Sequence, residues 1–230
     1  MKNHGYFKTP EHGLQIEETL TAGDTAGVHH LWRYWFAWYA GSQIAAHRVI
    51  DLGCGAGYGA RIMLEIPGVQ EVIGIDADPK AIARAQQDYK DPKLSFTSFF
   101  LENHWDECKP LTTQADLVVC YECIEMLKHR EFFLEQAVKL VSNDGLMLLS
   151  ANFVDRERCH AAPEDAYFHY NQQTLDRLLK RYFRVVEFGL SDTHGSTLWK
   201  FQEHYNLKTL NTNAPYKVGQ NTVLLADPIR

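Results

Sequence analysis

Apolar positions recur in two rhythms along the chain. Between Leu31 and Ala46, Trp32, Trp35, Phe36 and Tyr39 fall at i, i+3, i+4 and i+7, the spacing of one helical face. That stripe predicts an aromatic face turned into the core, with Tyr34 and Trp38 pointing elsewhere and able to cover a ligand. Downstream the rhythm shortens. Arg48–Leu52, Glu71–Ile75, Leu94–Phe99, Asp116–Cys120 and Leu146–Ser150 read as strands. Helices are predicted over Ala60–Glu65, over Lys80–Tyr89 with Pro79 in its first turn, and over Glu131–Val141, closed by Ser142-Asn143-Asp144-Gly145. A polar segment, Asn152–Asn171, breaks the alternation before a helix at Gln173–Tyr182 and strands at Val185–Phe188 and Thr222–Ala226. Alternating strands and helices imply right-handed crossovers. The expected fold is therefore α/β, a doubly wound and mostly parallel Rossmann-like sheet of seven strands. The last strand follows a long connection with no evident crossover helix, so it is expected to run antiparallel.

The 230 residues suit one domain. Its expected parts are a helical lead (1–47), a ligand-binding core (48–190) and a long connection with the last strand (191–230). A chain of this size hides about 70–75% of its unfolded surface and needs no disulfide or metal staple. Charge narrows the partners: 23 basic against 29 acidic residues give −6, which disfavours nucleic acid. Met1–Pro10 lacks the apolar stretch of a secretory signal, and Leu31–Ala46 carries Arg33 and is too short for a membrane span. With five cysteines, an odd number in no regular framework, a reducing cytoplasm is expected. Cys120 and Cys123 form a C-x-x-C without a second ligand pair, so no metal site is expected.

The chemistry concentrates in Val49-Ile50-Asp51-Leu52-Gly53-Cys54-Gly55-Ala56-Gly57-Tyr58-Gly59. Alternate glycines after a strand permit a tight turn and let a ligand approach the main chain. Asp76 ends the second strand, where an acid accepts hydrogen bonds from a ribose diol. Gly55-x-Gly57-x-x-Ala60 also satisfies a dinucleotide fingerprint, so an NAD(P)-dependent oxidoreductase is a rival reading. Asp51 weighs against it. A carboxylate two residues before the first glycine repels a diphosphate and attracts a cationic amino acid. S-adenosylmethionine combines adenosine, a ribose diol and such a cation.

These residues resemble the class I S-adenosylmethionine-dependent methyltransferases, in particular the small-molecule branch related to ubiquinone-biosynthesis and glycan-modifying enzymes. Val49–Gly59 resembles the family's first motif, Val72–Asp76 its second and Ala115–Glu125 its fourth. Arg33-Tyr34-Trp35-Phe36-Ala37, Ser142–Ser150 and Phe168-His169-Tyr170 are similar to supporting segments. The resemblance implies that Asp51, Gly53, Gly55 and Gly57 surround the methionine part, that Asp76 holds the ribose and that Ala77 lies beside the adenine. Tyr34 and Tyr121 join these as candidate cofactor contacts. Two departures stand out. The acid that the family often places after its third strand is missing from Ser98-Phe99-Phe100-Leu101, leaving Glu102 as the candidate adenine contact. Met126 follows Glu125 where this branch often has histidine.

Methyl transfer to a hydroxyl or an ammonium needs a base. His169, which can titrate near neutrality, is the first candidate and Glu122 the second. His160, Tyr170, His29 and His30 are further candidates for the cleft. The Thr193–Gln220 connection, rich in aromatics, is expected to shape an acceptor pocket or support a homodimer. A non-catalytic cofactor-binding module is the remaining rival.

Overall fold

The computed structural model describes residues 28–152, 158–159, 168–169, 172–191, 197–198 and 220–230. His160, Tyr170 and most of Thr193–Gln220 lie outside them, as do the side chains of His29, His30, Trp32 and His169.

Helix α1 (Val28–Gln43) leads into β1 (Arg48–Leu52), α2 (Tyr58–Met63), β2 (Glu71–Asp76), α3 (Pro79–Asp88) and β3 (Leu94–Ser98). Two 3-10 turns then connect to β4 (Ala115–Cys120), and a third, Ile124–Met126, precedes α4 (Arg130–Leu140). The chain continues through β5 (Val141–Asn152), the short strands β6 (Arg158–Cys159) and β7 (Phe168–His169), and α5 (Gln172–Leu179). It ends with β8 (Phe183–Ser191), the two-residue β9 (Thr197–Leu198) and β10 (Gln220–Pro228).

The main sheet has the order β3-β2-β1-β4-β5-β10-β8-β9. The first five strands are mutually parallel, and β10 runs antiparallel to both of its neighbours. Seven principal strands with an antiparallel last one match the expectation; β9 adds a short outer edge among the described residues. The order reverses between β1 and β4, the switch point where open α/β sheets bind ligands.

Alternate side chains sort to the two faces, as a pleated strand requires. Val49 and Val72 pack with α1, α2 and α3, whereas Ile50 and Ile73 pack with α4 and α5. Asp116 fastens the start of β1, its carboxylate accepting from the amides of His47 at 2.9 Å and Arg48 at 3.0 Å. Pro79 does occupy the first turn of α3, and Asp78 caps that helix by accepting from the Lys80 amide at 2.9 Å.

Two local expectations are corrected. The buried face of α1 is only in part the aromatic stripe: Phe36 is buried as expected, but Trp35 is 45% exposed and Tyr39 half-buried, whereas Arg33, Tyr34, Ala37 and Ala40 are buried. Close approach selects small residues here. A Cβ on Gly41 would lie 2.6 Å from Ile66 Cδ1 and 3.1 Å from Leu117 Cδ2. Secondly, Ser142–Gly145 does not separate α4 from the fifth strand. Val141 already pairs with Ala115 and Leu146 with Leu117, so the polar residues form a wide bulge inside β5.

Candidate functional site

The site is built at the carboxyl ends of β1, β2 and β4. Gly53, Gly55 and Gly57 adopt φ of 77°, 53° and 88°, the left-handed region that glycine enters without strain. The amides of Gly53 and Cys54 donate to the Ile75 carbonyl at 2.7 and 3.1 Å, which seats the loop on the end of β2. Gly57 is wedged, since a Cβ there would meet Phe96 at 2.6 Å and Ala85 at 2.8 Å. Gly55 faces open space, with nothing within 4 Å of the corresponding point. The first glycine rests on the C-x-x-C motif: a Cβ on Gly53 would lie 3.0 Å from Cys123 Cβ.

Two carboxyl groups flank this loop. Asp51 is 0% exposed. Its Oδ1 accepts from the Tyr34 hydroxyl at 3.3 Å, and its Oδ2 has no hydrogen-bond partner among the described residues. Burial pushes the Asp51 carboxyl up to about 8, with the nearby Asp76 adding to the rise and the Tyr34 hydrogen bond opposing it. Asp76 is held by main-chain donors, its Oδ2 accepting from Gly55 N and its Oδ1 from Asp78 N, each at 2.8 Å. Burial raises the Asp76 carboxyl as well, and those amide hydrogen bonds partly offset it. Ala77, next to it, is exposed.

Helix α1 closes the site from above. The Tyr34 ring lies on the backbone of Gly59, where a Cβ would come within 2.1 Å of the ring. The rings of Tyr58 and Tyr121 meet Tyr34 edge-on, each at 5.2 Å between centroids. Tyr121 also donates its hydroxyl to the Arg33 carbonyl at 3.0 Å. Arg33 is 1% exposed, and its Nη2 pairs with Glu122 Oε1 at 2.5 Å. Its Nη1 donates to Ser150 Oγ at 3.0 Å, and that same oxygen accepts from the Glu122 amide at 2.9 Å. Burial pushes the Arg33 guanidinium down, yet Glu122, with Tyr58 and Tyr121 behind it, leaves it raised overall. Glu122 itself has φ of 52°, unusual for a non-glycine residue, so the turn after β4 stores strain that this network holds.

The structure thus brings Tyr34, Asp51, Gly53, Gly55, Gly57, Asp76, Ala77, Tyr121 and Glu122 to one end of the sheet. Glu102 lies at the neighbouring loop with Oε1 accepting from the His129 amide at 2.6 Å, ahead of α4. His169 ends β7, which runs beside the 3-10 turn Ile124–Met126 and its buried Glu125. Sequence reasoning missed the buried polar role of Arg33 and the participation of Ser150 and Tyr58. The available signal was an arginine inside an otherwise apolar helical run. Phe100, after β3, is an exposed large apolar side chain at 48%.

The residues fit a cationic nucleoside cofactor: an orphaned buried carboxyl oxygen, an open glycine cradle and a second acid anchored for a diol. A methyltransferase-domain family model matches residues 50–147, which contain both acids and the glycine loop. Residues 50–147 carry a methyltransferase domain. S-adenosylmethionine is the cofactor of such domains, and the dinucleotide reading of the glycines gives way to it. The chain is 28% identical over 198 residues to a probable S-adenosylmethionine-dependent methyltransferase of Mycolicibacterium smegmatis, covering 82% of this chain and 74% of that one. It is 32% identical over 120 residues to the ribosomal protein L11 methyltransferase of Mannheimia succiniciproducens, covering 52% of this chain and 40% of that one. The chain spans half or less of the length of the curated relatives it first matches, 40% and 47% for two of them. In fold it is similar to the plantazolicin methyltransferase BpumL, solved in complex with SAH, with a TM-score of 0.63 at 16% identity. That likeness covers 96% of this chain and 92% of BpumL. Among the described residues, no helix is long and apolar enough to cross a membrane.

Proposed function

We propose that this chain transfers the methyl group of S-adenosylmethionine to an oxygen or nitrogen of a small-molecule acceptor. The observation that carries the reading is Asp51 Oδ2, buried and unpartnered among the described residues, beside a glycine cradle whose other rim is Asp76. Asp51 and the main chain of Gly53, Gly55 and Gly57 hold the amino acid end of the cofactor, with Tyr34 and Tyr121 walling it in. Asp76 takes the ribose hydroxyls, and Ala77 and Glu102 border the adenine. The cofactor supplies an electrophilic methyl on sulfur, and displacement is in line, so orientation of the acceptor is a large part of catalysis. Glu122 and Ser150 stand at the ends of β4 and β5, where that acceptor must approach. The Arg33 ion pair fixes the place of the Glu122 carboxyl, which suits it to orient an amine or hydroxyl. His169, brought beside the same turn by β7, serves as base where the acceptor must lose a proton. The charge balance of −6 favours a small acceptor over nucleic acid.

A protein acceptor is the second reading, favoured by the likeness to the L11 methyltransferase. Cofactor carrying a labelled methyl group, incubated with the chain and a cell extract, separates the two. Label in the low-molecular-mass fraction supports the first reading, and label confined to protein supports the second. Asp76→Ala is expected to weaken S-adenosylhomocysteine binding at least tenfold, by loss of charge-assisted hydrogen bonds worth about 1.5–3 kcal/mol. A chain that neither binds nor consumes labelled cofactor would overturn the assignment.

A further inference from the structure

Asp51 is enclosed by groups from every surrounding element. Tyr34 of α1 gives it one long hydrogen bond of 3.3 Å. Tyr58 at the start of α2, Cys54 in the loop, and Cys120 and Tyr121 at the end of β4 all sense its charge, and Asp76 of β2 is a second acid beside it. Every one of these is neutral or acidic near pH 7. The cation close by, Arg33, directs its guanidinium to Glu122 and Ser150 instead. A carboxylate that is 0% exposed, with one weak donor and a second acid for company among the described residues, is unfavourable as an anion.

We propose that the chain takes up its cofactor by exchanging a proton for a cation: Asp51 stands as a neutral carboxylic acid before binding and ionises on receiving the ammonium of the cofactor's amino acid. The inference rests on the methyltransferase reading and concerns how that same site is regulated. The balance is simple. The Asp51 O–H bond breaks, the proton leaves to solvent, and a carboxylate–ammonium pair takes its place in the buried site. The raised Asp51 pKa, about 8, is in keeping with this order of events. Cofactor capture then strengthens as pH rises through neutrality, because fewer protons must be displaced.

Calorimetric titration of the full chain with S-adenosylhomocysteine at pH 7.0, in two buffers of different ionisation heat, counts the protons released. Close to one proton per bound molecule is expected. The dissociation constant should also fall about tenfold per pH unit from pH 6 to 7.5, the limiting slope for one displaced proton. 5′-Methylthioadenosine has the same nucleoside but no amino acid, and should bind with no release and a flat pH profile. Asp51→Asn should bind S-adenosylhomocysteine with no release, and the wild-type proton count stands even if that variant fails to fold. Tight binding without proton release overturns the exchange alone. Equal release with 5′-methylthioadenosine also overturns it and moves the proton to Asp76. Failure of both compounds to bind at any pH overturns the methyltransferase reading and the exchange with it.

Discussion

Asp51 shows how a single residue of the candidate site acts against the stability of its own fold. Its carboxyl is raised to about 8 in the folded chain, whereas the unfolded chain returns it to about 3.9. Between those values the folded state holds a proton that the unfolded state lacks. This group therefore costs the cofactor-free chain stability as pH rises from about 4 to about 8, at up to about 1.4 kcal/mol per unit. Above the folded pKa the loss is complete. Asp51→Asn removes the slope. Urea denaturation at pH 5 and pH 8 should show the variant gaining on the wild type at the higher pH, and parallel curves would contradict the assignment. Arg33 acts the other way. Its loss takes a charged partner from Glu122, in a half-buried turn already strained at φ 52°. Arg33→Gln should cost about 1.5–3 kcal/mol by denaturation, the range for losing a hydrogen bond to a charged group.

At the scale of elements, α1 and the start of α2 form one joint. The Tyr34 ring occupies the space where any side chain at residue 59 would stand, 2.1 Å from the position of a Cβ. Gly59→Ala is expected to lift α1 from the loop, costing about 1–3 kcal/mol as overpacking does, and to weaken cofactor binding because Tyr34 leaves Asp51. In combination with Tyr34→Ala the cost should fall well short of the sum, and a melting-temperature cycle over the four variants measures the difference. Strict additivity would mean that the ring and the glycine do not share the space. The same joint explains the misplaced aromatic stripe. Periodicity identifies a helix and the width of its apolar face, but Trp, Tyr and Ala are all acceptable there. Which of them goes inside depends on how closely β4 and Ile66 approach, and that distance is not written in residues 31–46.

The whole molecule is ordered differently in space and in sequence. β10 is the last strand described, yet it lies between β5 and β8 and is bonded to both. Removing residues 220–230 would leave two facing edges unpaired in the middle of the sheet, an aggregation hazard. The truncated chain is expected to be insoluble or to lose its cooperative melting transition, and a truncated form that melts like the full chain would show the outer strands to be dispensable. Because α1, β4 and β5 meet at Arg33, Glu122 and Ser150, the lead and the far half of the sheet are coupled across 117 residues of sequence.

Much of this protein was legible before any coordinates. The alternation of short apolar runs with helical spacing dictated the parallel core, since a strand buried on both faces must be apolar and a crossover needs a helix. The glycine run and the two acids at strand ends pointed to the cofactor because backbone conformation and charge at such positions are local properties. The partners of those acids were decided only by tertiary structure. That Asp51 has one long donor bond among the described residues while Asp76 is held by two amides, that Arg33 turns inward to Glu122, and that Ser142–Gly145 bulges within a strand all follow from distances between segments far apart in sequence. Local patterns carry propensity and charge; burial, which sets what a charge costs, exists only once the chain has closed around it.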